Sequence, residues 1–214
     1  MKSESVEFSS EDYMLHGVLT HSESAMKTGV VILHPHPLYG GDMENHVVGA
    51  LEHVFLEAKF TTLRFDFRGA TTSPQGYSGV SGAVTDALNA IEFLKSHAEV
   101  SEVGIAGYSF GASTAIRVAL LKPPPFLISL SASRNLISED GFDTEQLSSI
   151  ECPVLLFHGQ SDRMVPSDDL AFLTEIIGLE LEDSLLLDGE GHFYQRTLPL
   201  VVSAIRAFIR ALSV

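Results

Sequence analysis

The chain's sequence predicts an α/β fold: one mostly parallel sheet of about eight strands, the first pair antiparallel, flanked by helices and without a substantial cap domain. Three observations carry this prediction. Short apolar runs that end in Gly, Pro or polar turns alternate with longer stretches at helical spacing. The central runs are apolar almost throughout, as strands covered on both faces are. Finally, only about 20 residues, 131–151, separate the sixth run from the seventh, too few for a helical cap. At 214 residues and 45% apolar composition the chain is long enough for one large core and short for two, so a single domain over 1–214 is expected.

Taken in order, SVEF and MLHGVL follow one another with no helical segment between them, which predicts an antiparallel pair. GVVILH, TTLRFDF, EVGIAG, PFLISLS, PVLLFHG and DSLLLD are the remaining strand candidates. In a helix expected from near Asp42, Val47, Val48, Leu51, Val54, Phe55 and Ala58 share one face. Val84, Ala87, Leu88, Ile91 and Leu94 form a second stripe, Ala115, Ile116, Ala119 and Leu120 a third, and Val201, Ala204, Ile205, Phe208 and Leu212 the last. All four stripes read as core. The prolines of KPPP, 122–125, stop a helix before a strand. Within 131–151 the only helical piece is DTEQLSSI, whose Leu147 and Ile150 are expected to pack on the sheet edge rather than to cover a cleft.

Charge and cysteine usage remove several function classes. Thirteen basic against 28 acidic residues give a net charge of −15, which repels nucleic acid and anionic membrane surfaces. The first residues hold no apolar signal-like region, and no stretch reaches the roughly 18 apolar residues of a membrane helix. A cytoplasmic protein without a membrane or nucleic-acid partner is expected. Cys152 is the only cysteine, so neither a disulfide within the chain nor a thiolate metal cluster is expected.

The chemistry concentrates around GYSFG, 107–111, which lies between an apolar strand and a helical stripe. A strand–turn–helix context makes G-x-S-x-G a nucleophile elbow, with small residues at both ends because a β-carbon would collide in so tight a turn. Ser109 is therefore the expected nucleophile, and a serine needs a base and a group that orients the base. Of nine histidines, His192 follows the last strand in a Gly-rich loop on the edge that carries Ser109. His158, at the end of a strand, is its rival and is expected to pack against the neighbouring loop. Asp162, in the turn after PVLLFHG, is the expected orienting acid; Asp188 and Glu190 stand too close to His192 in sequence, and Asp168 and Asp169 read as first-turn helix residues. For the oxyanion, the Phe110 amide is one expected donor and the loop HPHPLYGG, 34–41, supplies the other. Pro35 and Pro37 have no N–H, which leaves Leu38, or else Tyr39. His34, His36, Asp42 and His46 form a conceivable metal set without evident convergence, so no metal and no cofactor is expected, and His34 or His36 is read as bracing the loop.

With these residues in place, the chain resembles the α/β-hydrolase superfamily over essentially its whole length, in the order Ser109, Asp162, His192. Through residues 34–41 it is most similar to small prokaryotic serine hydrolases grouped near the dienelactone hydrolases. The resemblance implies a hydrolase fold and an acyl-enzyme mechanism. Dienelactone hydrolases proper carry cysteine in the elbow, where this chain has Ser109, so their substrate is not implied; after FRG, ATTSPQ stands where the resembled group has small alternating Gly and Ser, a difference in one wall of the pocket. The expected activity is cleavage of a carboxylic ester or thioester of a small soluble molecule. A peptidase or amidase with the same three residues, and a non-catalytic binding module on the same fold, are the competing readings.

Overall fold

The computed structural model describes residues 1–22 and 27–212. Eight strands, β1 (Lys2–Ser10), β2 (Tyr13–His21), β3 (Thr28–Leu33), β4 (Thr61–Phe65), β5 (Glu102–Tyr108), β6 (Leu127–Leu130), β7 (Val154–Gly159) and β8 (Ser184–Leu187), form one sheet in the order β1-β2-β4-β3-β5-β6-β7-β8. The β1/β2 pair is antiparallel as expected, and β2 also runs antiparallel to β4; every later pairing is parallel. Alternation along β3 assigns the two faces. Val31 and Leu33 enter one apolar cluster with residues of α2 (Gly79–His97), α3 (Phe110–Leu121) and α5 (Asp168–Ile177). Val30 and Ile32 enter the other, with α1 (His46–Glu57) and α6 (Leu198–Leu212).

Helix α1 begins at His46 rather than near Asp42. Asn45 accepts the Val47 amide at 2.9 Å and so caps the helix, while Asp42 accepts the Glu44 amide at 3.0 Å in a separate turn. On α6 the buried line is Val201, Ile205 and Ile209; the expected Leu212 is largely exposed. No cap inserts between β6 and β7. The connection holds one short helix, α4 (Arg134–Ile137), and 3-10 turns, and it buries Leu147 and Ile150 in the core beside α5. Glu139 of this connection accepts the Val80 amide at 2.6 Å, pinning it to the start of α2.

The β1–β2 hairpin is fastened to the rest by a buried charge network. Arg68, after β4, donates through Nη2 and Nε to Asp86 Oδ1 on α2 at 2.7 and 2.9 Å, through Nη1 to Glu11 at 2.8 Å, and to Ser10 Oγ at 3.1 Å. Its guanidinium also lies over the Tyr13 ring.

Candidate active site

Ser109 sits between β5 and α3 with φ 56° and ψ −114°, a conformation that an L-residue adopts only under constraint. The constraint is steric and local. A β-carbon at Gly107 would stand 2.2 Å from the Gly111 carbonyl oxygen, and one at Gly111 would stand 2.3 Å from the Leu33 carbonyl oxygen. The turn therefore closes tightly and α3 starts directly against the end of β3. Ser109 Oγ then lies 2.9 Å from His192 Nε2, and His192 Nδ1 donates to Asp162 Oδ2 at 2.7 Å. With Nδ1 protonated toward the carboxylate, Nε2 is the acceptor for the serine hydroxyl. Burial pushes the Asp162 carboxyl up, but the His192 hydrogen bond and the amides of Val165 and Met164, each at 2.9 Å from Oδ1, outweigh it and hold the group below the usual carboxylate range. Asp162 is thus a fixed anion behind the imidazole.

His158 does not compete for Ser109. Its Nε2 lies 3.1 Å from the Val165 carbonyl and 3.6 Å from Asp162 Oδ2, and burial lowers its proton affinity. It braces the turn that presents Asp162. Asp188 plays no part in the chain of hydrogen bonds, while Glu190 has a role that proximity in sequence concealed. Its buried carboxylate accepts the amides of Gly191, Arg196 and Thr197, tying down the loop that carries His192. Tyr108 adds a hydrogen bond of 2.8 Å from its hydroxyl to the His192 carbonyl, and His46 Nε2 lies 2.8 Å from the Phe193 carbonyl.

The 34–41 loop differs from the expectation in its amides. Leu38 N–H donates to His36 Nδ1 at 3.2 Å with its side chain turned out to solvent, and Tyr39 N–H donates to the His36 carbonyl at 3.1 Å. Both amides are committed because Pro37–Tyr39 winds into a 3-10 turn capped by the His36 ring. Among the described residues, the loop amide between the two prolines, His36 N–H, has no acceptor. His34 braces the loop: its ring lies 2.5 Å from the Pro35 carbonyl through Nδ1 and accepts the Phe67 amide at 2.9 Å through Nε2. His36 Nε2 lies 3.0 Å from the Tyr77 hydroxyl, and its ring faces Phe110. Each imidazole is spent on the fold, and among the described residues no three His, Cys, Asp or Glu side chains converge as a metal site.

Ser109, His192, His36, Asn45, Phe193 and Met164 line a cavity of about 200 Å³. A larger hollow of about 570 Å³ between α5 and β8 has neither nucleophile nor base in its lining. No helix among the described residues is long and apolar enough to cross a membrane.

Residues 19–179 match the family model described as the dienelactone hydrolase family, three quarters of the chain. The chain belongs to the dienelactone hydrolase family. The structure of an α/β serine hydrolase homologue from Coxiella burnetii is similar at 26% identity with TM-score 0.81, covering 99% of this chain and 98% of that one. An α/β-hydrolase-fold protein of unknown function from Agrobacterium tumefaciens is 27% identical with TM-score 0.86, covering 98% and 97%. An uncharacterized protein of Rickettsia prowazekii is 29% identical over 171 residues, 77% of this chain and 71% of that protein. This member of the dienelactone hydrolase family is accordingly a hydrolase on an α/β-hydrolase fold. The matched span contains Ser109 and Asp162, and His192 lies beyond it.

Proposed function

We propose that the chain is a serine hydrolase that cleaves carboxylic esters or thioesters of small molecules through an acyl-enzyme. The observation that carries this reading is the continuous hydrogen-bonded line from Ser109 Oγ through His192 to Asp162, at 2.9 and 2.7 Å, beginning at a serine held in strained backbone. In this reading His192 Nε2 takes the Ser109 proton as Oγ attacks the carbonyl carbon, and Asp162 stabilises the imidazolium. The oxyanion forms at the start of α3, where the Phe110 amide, the first of the helix, has no intrahelical acceptor and the helix dipole favours negative charge. The His36 amide is the second donor in place of Leu38 or Tyr39. The protonated imidazole then gives its proton to the departing oxygen or sulfur, and a water molecule activated by the same nitrogen hydrolyses the acyl-Ser109 ester. With no cap between β6 and β7, small soluble substrates reach the serine directly.

Fluorophosphonate labelling tests the reading. The wild-type protein should label on Ser109 and hydrolyse short-chain 4-nitrophenyl esters with saturation kinetics that continue smoothly past the solubility limit. Ser109→Ala should keep its fold by circular dichroism, lose labelling and lose about 10⁴-fold or more in kcat/KM. Labelling or turnover that survives the substitution rejects Ser109 as nucleophile.

A further inference from the structure

Asn45 is an unassigned polar group in the wall of the same cavity. Its side-chain orientation is settled by helix capping. Oδ1 must face the Val47 amide, 2.9 Å away, which leaves Nδ2 as two N–H donors with no acceptor among the described residues. The residue is half-buried, and it shares the cavity with Ser109 and His192. Tyr39, Met164 and Phe193, all large and exposed, give that cavity an apolar rim, and no charged side chain lines it. A donor pair fixed beside the apolar rim of a hollow of about 200 Å³ that is lined by no Asp, Glu, Lys or Arg fits a neutral acceptor oxygen and does not fit an ammonium. The chain's net charge of −15, with no cation in the lining, sets it against carboxylate-bearing substrates as well.

Resting on the ester-hydrolase reading, we propose that Asn45 is a specificity-determining residue whose Nδ2 donates to an uncharged oxygen, ether, hydroxyl or carbonyl, carried by the substrate near its scissile carbonyl. The rim residues enclose the neighbouring apolar atoms. The acyl-enzyme chemistry itself is unchanged; Asn45 acts on which ester is held and how it is oriented.

Two pairs of esters, each differing by one oxygen for one methylene, provide the test. On the acyl side the pair is 4-nitrophenyl methoxyacetate and butyrate; on the alcohol side it is 2-methoxyethyl and butyl acetate. The ratio of kcat/KM within each pair is measured for the wild type, Asn45→Ser and Asn45→Asp, and the wild-type ratio is divided by that of each variant. This cancels the intrinsic reactivity of the esters. Both variants keep an N-cap acceptor for Val47, so their melting temperatures should stay close to the wild type's. A quotient of roughly three to ten in one pair, expressed mainly in KM, is expected from one hydrogen bond to a neutral acceptor. Quotients of one in both pairs, with normal turnover of all four esters, overturn the role of Asn45 and leave the ester reading intact. Failure of the wild type to turn over any ester or to label with fluorophosphonate overturns the ester reading, and this inference with it.

Discussion

The turn around Ser109 is closed by two backbone contacts that follow from having no side chain at Gly107 and Gly111, the first within the pentapeptide and the second to the adjoining end of β3. The loop from His34 to Asn45, which also lines the cavity, is held from outside: the Phe67 amide donates to His34 Nε2 at 2.9 Å, the Tyr77 hydroxyl lies 3.0 Å from His36 Nε2, and Asp66 accepts the Met43 amide at 2.8 Å. The first region can be read from a pentapeptide. The second can be read only once β4 and the segment after it are in place, and so which of its amides are left for a ligand is decided far from the loop itself.

The largest effect that sharpens this contrast comes from a single methyl group. Gly111→Ala puts a β-carbon against backbone at β3, which cannot swing away, so kcat/KM should fall more than about 100-fold with a loss of stability of about 3 kcal/mol or more. Gly40→Ala meets open space and suffers only from its φ of 77°, at about 1 kcal/mol, with activity kept within a few-fold. Urea unfolding and ester kinetics on both variants check this, and equal costs would break the distinction.

His34 provides the next effect, in stability against pH. Burial lowers its proton affinity to about 4, and protonation of Nε2 would also abolish the acceptor for the Phe67 amide. A histidine whose folded value is depressed contributes stability above its unfolded value, near 6.5, and loses it as pH falls toward the folded value. On the order of 3 kcal/mol should therefore disappear between pH 6.5 and 4, read as a falling urea midpoint. His34→Gln, which retains an acceptor and does not titrate, should flatten that limb; an unchanged slope would sink the assignment. The smallest effect belongs to Tyr77→Phe. Removing the hydroxyl partner of His36 should lower kcat/KM less than about fivefold, because the prolines on either side and the 3-10 turn still fix the loop.

The same contrast explains what the amino-acid sequence revealed. The strands, the apolar stripes and the shortness of the β6–β7 connection are periodic or local features, and the structure contains them, with Ile209 rather than Leu212 ending the buried line of α6. Ser109, His192 and Asp162 each stand at the carboxyl end of a strand, and a parallel sheet brings such ends to one edge, which is why three distant residues meet at 2.9 and 2.7 Å. The placement of β4 between β2 and β3 depends on long-range pairing that no local pattern encodes. Pro35 and Pro37 lack N–H groups, which predicts Leu38 as the first free amide; it is taken up by a ring two residues earlier, a contact set by the backbone of a 3-10 turn. The hold of Glu190 and Tyr108 on the His192 loop appears only in three dimensions.

Arg68 carries one more consequence. Its guanidinium is buried, and two of its partners, Ser10 and Glu11, belong to the β1–β2 hairpin, the part of the chain that lies mostly outside the family match. A trimmed protein beginning after the hairpin would keep every residue of the Ser109 site and yet expose one flank of β4 while leaving the Arg68–Asp86 pair short of two of its ligands. The hairpin therefore works as a keystone at the rim of the sheet, and the minimal unit able to hold the cavity in shape is larger than the set of residues that touch it.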